Sequence, residues 1–241
     1  MFYGSSMLPL TRHGWREMLI GTLVLAVIGT ALHWVYWPLA LLVIPVWLWL
    51  IAFFRDPERP LPAEQHTMVS PADGKVSDIT ELEHDELLGG PAVRVGIFLS
   101  VFNVHVNRAP CDGRVTQITY KKGKFVNALH HNEASSQNES NTIVLSEPEG
   151  TRPVAVVKQI VGLIARRIIC TAALNDKVTR GQRIGMIKFG SRTELYIPKW
   201  LEPQIRVTVG QTVRGAADVI AVLNKGIVTD RAPATTDSVS A

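Results

Sequence analysis

From Met18 to Phe54 the sequence holds no Asp, Glu, Lys or Arg, a run of 37 residues. A single membrane-crossing helix needs about 20 apolar residues, so the run is long enough for two short ones. Its middle, His33-Trp34-Val35-Tyr36-Trp37-Pro38, carries the aromatic residues of a membrane interface and a proline suited to a helix start. The stretch reads as a hairpin of two apolar helices, roughly 18–35 and 38–54, with both ends on one side. Arg12, His13 and Arg16 precede it, Arg55 and Arg59 follow it, and the connector has no Lys or Arg. The positive-inside tendency then places both termini, and the large domain with them, on the cytoplasmic side of the cell membrane. A buried helix pair is the bland alternative. A cleaved signal peptide fits less well, because the run is too long and no small-residue cleavage site precedes a mature start. Pro45 leaves a spanning and a re-entrant hairpin both open.

The remaining composition bounds the rest. Of the 241 residues 46% are hydrophobic and only 19% charged, which excludes a disordered chain. Two cysteines, Cys111 and Cys170, are too few for a disulfide scaffold and lack metal-ligand spacing, so they read as reduced thiols. The pI near 9.2 invites a nucleic-acid partner. Lys and Arg are scattered, however, and five of the six tryptophans precede residue 50, so a nucleic-acid-binding barrel is disfavoured. A basic surface facing anionic lipid fits the same balance.

After the hairpin, Arg55-Asp56-Pro57-Glu58-Arg59-Pro60-Leu61-Pro62 is a polar connector that cannot continue a helix. Beyond it, Ala92–Leu99, Gly113–Tyr120, Asn141–Leu145, Val154–Val161 and Gln204–Val209 are β-branched runs of strand length. Asp73-Gly74, Asp112-Gly113 and Glu149-Gly150 mark turns. Gly215–Leu223 reads as a short helix or as a turn and strand, and the tail from Thr229 as disordered. The expected fold is a mainly-β sandwich or barrel-sandwich domain over 55–228, behind an N-terminal segment 1–17 and a membrane hairpin 18–54, with a tail over 229–241.

Four clusters could carry chemistry. Ser70-Pro71-Ala72-Asp73-Gly74 is by default a turn before a strand. In Phe102-Asn103-Val104-His105-Val106-Asn107-Arg108-Ala109-Pro110, His105 sits at a strand end, and Asn103 and Asn107 would share its face if the segment is extended. His130-His131-Asn132-Glu133 through Asn138-Glu139-Ser140-Asn141 is a long polar loop of the kind that holds substrate contacts on a β scaffold. Adjacent histidines in it point apart, and no carboxylate spacing completes a metal set. The fourth is Lys188-Phe189-Gly190-Ser191. A serine hydroxyl held against the preceding carbonyl can attack it and move the acyl group from nitrogen to oxygen. Elimination from that ester cuts the chain and leaves dehydroalanine, which hydrolyses to a pyruvoyl group. Glycine before the serine permits the backbone approach this attack requires.

Taken in order, Phe53-Phe54-Arg55-Asp56-Pro57-Glu58-Arg59, Ser70-Pro71-Ala72-Asp73-Gly74, His105, Asn138-Glu139, Val161-Gly162 and Lys188-Phe189-Gly190-Ser191 resemble the phosphatidylserine decarboxylase proenzymes, in their short bacterial or archaeal form. The resemblance runs from about residue 50 to 210. It implies self-cleavage between Gly190 and Ser191, giving a large chain 1–190 and a small chain of 51 residues, 191–241, which stay together as a heterodimer. Ser191 would become a covalent pyruvoyl cofactor, whose ketone captures the serine headgroup's amine and takes up electrons as carbon dioxide leaves. The implied substrate is phosphatidylserine in the membrane, the product phosphatidylethanolamine, and a higher oligomer is compatible.

By the same resemblance Asp73 helps a histidine activate Ser191, His105 moves a proton during decarboxylation, and Asn138, Glu139 and Asn103 are candidate substrate contacts. Longer members of the family carry a second histidine where this chain has Arg108, and Asn-Glu-Arg where it has Asn138-Glu139-Ser140. So either His105 serves both steps or the serine is activated in another way. A rival comes from another class. Residues 109–115 and 178–185 resemble the half-motifs of biotinyl/lipoyl-like domains, and a membrane-anchored adaptor of that kind would remain uncut.

Overall fold

A computed structural model describes residues 9–123, 135–162, 167–188 and 190–227. The loop residues His130 to Glu133, Phe189 and the tail from Thr229 lie outside the described residues. The apolar run folds as α1 (Trp15–Val35), α2 (Trp37–Ala40) and α3 (Val43–Phe53). At 1.5 Å per residue α1 is about 31 Å long, the thickness of a bilayer's hydrocarbon core. It belongs to a helix long and apolar enough to cross a membrane, Arg12–Val35. Trp34, Tyr36 and Trp37 are exposed at the far tip.

The second leg is shorter than the sequence implies, because it breaks at Leu41-Leu42. Pro45 has no N–H to give to the Leu41 carbonyl and would crowd it in a continuous helix. The chain there makes i to i+3 bonds instead, Leu42 N–H to Leu39 O and Ile44 N–H to Leu41 O. Trp47 Nε1 donates to Thr22 Oγ1 at 3.1 Å, tying α3 to α1. The two ends of the hairpin meet: Thr11 N–H donates to Phe54 O at 2.9 Å and Leu10 bridges to Arg55.

The remainder is built of β-strands. In chain order they are β1 (Thr67–Val69), β2 (Gly74–Asp85), β3 (Gly90–Leu99), β4 (Val106–Arg108), β5 (Gly113–Lys121), β6 (Ser140–Ser146) and β7 (Pro153–Val161). Then follow β8 (Arg167–Cys170), β9 (Lys177–Val178), β10 (Arg183–Lys188), β11 (Ser191–Pro198), β12 (Pro203–Ile205), β13 (Thr212–Val213) and β14 (Val219–Leu223). Eight form one antiparallel sheet, in the order β13-β2-β3-β11-β7-β6-β5-β9, and two three-stranded sheets, β4-β10-β8 and β1-β14-β12, complete the domain. Residues 109–115 and 178–185, the two half-motifs, pair with each other. Ala109 and Gly181 exchange bonds with the neighbouring strand, and Gly113 registers with Val178.

The core follows from period-two alternation. On β3, β6, β7 and β11 the side chains Val95, Ile97, Leu99, Ile143, Leu145, Ala155, Val157, Leu195 and Ile197 share one buried cluster with Met68, Ile184 and Ile220. The opposite face of β11 is buried as well, and it is ionic. Arg192 donates to Glu194 Oε1 at 2.9 Å and Asp78 Oδ1 at 2.6 Å, and Tyr196 donates to Glu194 Oε2 at 2.7 Å. Buried charge is tolerated only when paired and hydrogen-bonded in this way.

Candidate active site

The chain leaves one sheet and enters another at Gly190. β10 lies in the sheet with β4 and β8, while β11, two residues on, lies in the middle of the eight-stranded sheet between β3 and β7. Gly190 turns this corner with φ +62°, a conformation glycine adopts without steric cost. Its carbonyl accepts a hydrogen bond from Gly162 N–H at 3.1 Å, so the carbonyl of the Gly190–Ser191 peptide is already polarised. Ser191 begins β11 fully buried, and its Oγ has no hydrogen-bond partner among the described residues. An unsatisfied buried hydroxyl costs about 1–3 kcal/mol and asks for an explanation.

His105 is the second such group. It too is fully buried, and Nε2 has no partner among the described residues. Nδ1 lies 2.9 Å from the Asn103 carbonyl, which can only accept, so the proton sits on Nδ1 and Nε2 presents a lone pair. Burial pushes its pKa down to about 4, and the Arg55 charge acts in the same direction, against the Asn103 bond and the Asp73 charge. The ring packs on Phe53, the last residue of α3, with centroids 4.4 Å apart. The apolar hairpin thus supplies part of the wall that keeps His105 dry and neutral.

The main chain holds His105 beside β10, where Ile187 N–H donates to its carbonyl at 3.2 Å. Two residues beyond His105 and two beyond Ser191, a side-chain bond joins the segments: Asn107 Nδ2 to Thr193 Oγ1, 3.0 Å. That bond ends a row of buried amides. Asn141 donates to Gln159 at 2.9 Å and Gln159 donates to Asn107 Oδ1 at 2.9 Å. Gly185 lets β10 approach this row, since a Cβ there would meet the Ile169 carbonyl at 2.2 Å and Gln159 Nε2 at 2.9 Å.

The other candidates have mainly structural partners. Asp73 forms a two-pronged ion pair with Arg59 and accepts from Gly215 N–H at 2.8 Å. It acts on His105 through its charge, and the hydrogen bond expected between a family aspartate and a histidine is not formed. Asn103 does not extend from His105's strand. It closes the turn Ser100–Asn103, its Oδ1 accepting from the Ser100 N–H and hydroxyl at 2.9 and 2.7 Å, and its carbonyl orients His105. Asn138 is buried and donates to Val161 O at 2.8 Å, and the Glu139 carbonyl accepts from Val161 N–H at 3.1 Å. Both therefore fix the end of β7 from which Gly162 reaches Gly190. Cys111 and Cys170 are free thiols, and burial raises the pKa of each.

Arg108 does not stand in for a second histidine. Its guanidinium donates to Asp56 Oδ1 at 2.9 Å, Pro57 O at 3.1 Å and Gly181 O at 3.1 Å. Arg183 holds the other Asp56 oxygen and Glu58. With Arg59 on Asp73, these pairs convert the proline-rich connector into a strap latched across the domain. Arg108→Ala leaves Asp56 with Arg183 alone and takes the donor from the Pro57 and Gly181 carbonyls, and is expected to cost about 1–3 kcal/mol. Urea unfolding at pH 7.5 checks this, and Arg108→Lys should recover only part of the loss.

Sequence reasoning picked out Ser191, His105 and Gly162. It missed the contact of Phe53 with His105 and the amide row, which only long-range pairing creates. The phosphatidylserine decarboxylase family model matches residues 47–221, from the last turns of α3 into β14. The phosphatidylserine decarboxylase proenzyme of Rhodopirellula baltica is 44% identical over 219 residues, covering 91% of this chain and 90% of its own. Those of Granulibacter bethesdensis and Syntrophus aciditrophicus are 47% identical over 212 residues and 46% over 193, covering 86% and 80% of this chain and 83% and 86% of their own. On that extent of similarity, this chain belongs to the phosphatidylserine decarboxylase family.

Proposed function

We propose that the protein is a self-cleaving, pyruvoyl-dependent decarboxylase that converts phosphatidylserine to phosphatidylethanolamine at the membrane surface. The observation that carries the reading is the Gly190–Ser191 corner, where a left-handed glycine, a carbonyl held by Gly162 and an unpartnered buried hydroxyl coincide. Ser191 Oγ attacks the Gly190 carbonyl while His105 Nε2 takes its proton. The negative charge developing on the Gly190 oxygen meets the Gly162 N–H. The proton passes to the departing Ser191 nitrogen as the C–N bond breaks, leaving an ester. Loss of the Ser191 Cα proton then expels Gly190 as a carboxylate and leaves dehydroalanine. Hydrolysis releases ammonia and gives the pyruvoyl group.

That group supplies an electron-withdrawing ketone for decarboxylation. Around it, the chain's own residues exclude water and move protons. Phe53 packs on His105 and shields it from water, and neutral His105 holds a proton-accepting site at Nε2. Asp73 steadies the strap that follows Phe53, through Arg59. The apolar hairpin ends at Phe53, against His105, which supports a lipid substrate reached from the bilayer, with the domain on the cytoplasmic side. The large chain 1–190 and small chain 191–241 remain joined through β11, and we assign the hairpin, domain and tail the boundaries 18–54, 55–228 and 229–241.

The intact mass of the purified protein under denaturing conditions tests the reading. Two masses are expected, one for residues 1–190 and one for 191–241 lighter than a serine-initiated peptide by the change of serine to pyruvoyl. Hydroxylamine should inactivate the protein and shift only the small fragment. A single 241-residue mass, persisting after incubation with membranes, overturns the reading and favours the adaptor.

A further inference from the structure

Outside the hairpin, Phe102 is the most exposed large apolar side chain among the described residues, at 70%. It stands in the Ser100–Asn103 turn, which the Asn103 side chain closes tightly. A single exposed ring needs no partner by itself; what surrounds this one points to a surface that covers it. The turn is fastened to the base of the hairpin. Arg55 donates to Phe102 O and to Ala52 O, both at 2.7 Å, so one guanidinium joins the turn to the last turn of α3. Among the described residues Arg55 has no carboxylate partner. On the other leg, Arg12 and Arg16 are exposed and make no ion pair among the described residues, beside Trp15, itself 63% exposed. Uncompensated cations interleaved with exposed aromatic rings, at the foot of an apolar helix of bilayer length, match the interfacial zone of an anionic membrane. A protein partner would have to cover the foot of a helix whose apolar outer face needs lipid.

We propose that the Ser100–Asn103 turn is a membrane contact of the catalytic domain, with Phe102 inserted into the interfacial zone of an anionic bilayer beside the hairpin base. This rests on the membrane-facing reading above. The contact gives the turn a second task, because the Asn103 carbonyl that follows Phe102 orients His105. Docking at Phe102 therefore sets the histidine at headgroup depth, where a lipid is met without being drawn out of the membrane.

The test uses the full-length protein carrying Phe102→Ser, Phe102→Asp or Phe102→Trp, each confirmed as cleaved into two fragments. Carbon dioxide release is measured on phosphatidylglycerol vesicles containing phosphatidylserine, and on a short-chain phosphatidylserine kept below its micelle concentration. Loss of one buried ring should raise the apparent KM on vesicles on the order of tenfold for Phe102→Ser. Phe102→Asp should lose more and Phe102→Trp nothing, while all three turn over the dispersed substrate like wild type. Vesicle kinetics unchanged in Phe102→Asp, or an equal loss on both substrates, overturn the proposal. If wild type releases carbon dioxide from neither, the reaction assignment fails instead. The contact is then still read without turnover, by a bimane label on Phe102→Cys: quenching by lipids brominated near the headgroup supports it, and no quenching overturns it.

Discussion

Ser191→Ala is expected to yield one uncut chain of 241 residues with no measurable decarboxylation, and with stability no lower than wild type. The first two outcomes follow from chemistry. The variant lacks the hydroxyl that takes the acyl group of Gly190, and with it the leaving group whose elimination gives dehydroalanine. The third follows from the structure. Ser191 Oγ is buried without a hydrogen bond, so replacing it by a methyl removes an unsatisfied polar group and breaks no interaction, a change that is neutral or stabilising. The two measurements separate cleanly, because mass spectrometry reads the cut and urea unfolding reads the fold. A variant that is still cleaved at 190 would sink the assignment of Ser191. An uncut variant that is also unfolded would show instead that the hydroxyl carries a structural load.

His105→Asn should slow both self-cleavage and decarboxylation on the order of 10²-fold or more, the usual share of a positioned acid–base group. Asparagine can keep the donor that satisfies the Asn103 carbonyl, but it offers no basic nitrogen in place of Nε2. The pH behaviour is a separate signature. With its pKa pushed down to about 4 by burial, His105 stays neutral across the acid range in which an ordinary histidine, near 6.5, becomes charged. The acid limb of wild-type activity should therefore lie well below pH 6. The sign for stability follows from proton counting. Between about pH 6.5 and 4 the unfolded chain binds a proton that the native chain refuses, so the contribution is whole above pH 6.5 and is lost as pH falls towards 4. Its total is about 3 kcal/mol. Unfolding curves at pH 7.5, 5.5 and 4.5 should show this slope in wild type and a shallower one in His105→Asn. Equal slopes would mean that His105 is more hydrated than its surroundings imply.

How far the sequence foretells such a site depends on whether a residue's role is local. The hairpin is legible because the absence of charge over Met18 to Phe54 is a local fact, and so is the proline that breaks its second leg. Strands β3, β5, β6 and β7 show as β-branched runs. Gln204–Val209 was expected as one strand, yet β12 ends at Ile205, because the chain then turns over Thr208–Gln211 with Gly210 at φ +93°. Gly215–Leu223 resolves into a turn and β14. The central strand β11 is the instructive failure. Its sequence, Ser-Arg-Thr-Glu-Leu-Tyr-Ile-Pro, looks half exposed, and every residue is buried. Arg192 and Glu194 are tolerated there because they pair with each other, Tyr196 donates to Glu194, and Asp78, remote in sequence, accepts from Arg192. Arg108 misleads for the same reason. Its position hints at a substitute catalyst, whereas its role is set by Asp56, fifty-two residues earlier.

The place of β11 also decides how such a molecule could come into being. It is paired along its whole length with β3 on one side and along most of it with β7 on the other, so the segment after the cut is the keystone of the sheet rather than an appendage. The 190-residue piece made alone would have a slot where its middle strand belongs, with unpaired edges on both sides that invite aggregation. If the proposed cut is made, the order of events is thereby built in: the chain must close around the strand first and sever it afterwards. The same topology would make that cut irreversible in practice, because the small piece could leave only if two ladders opened together. Supplying the two pieces from separate messages should give inclusion bodies, even though the proposed mature protein consists of nothing else.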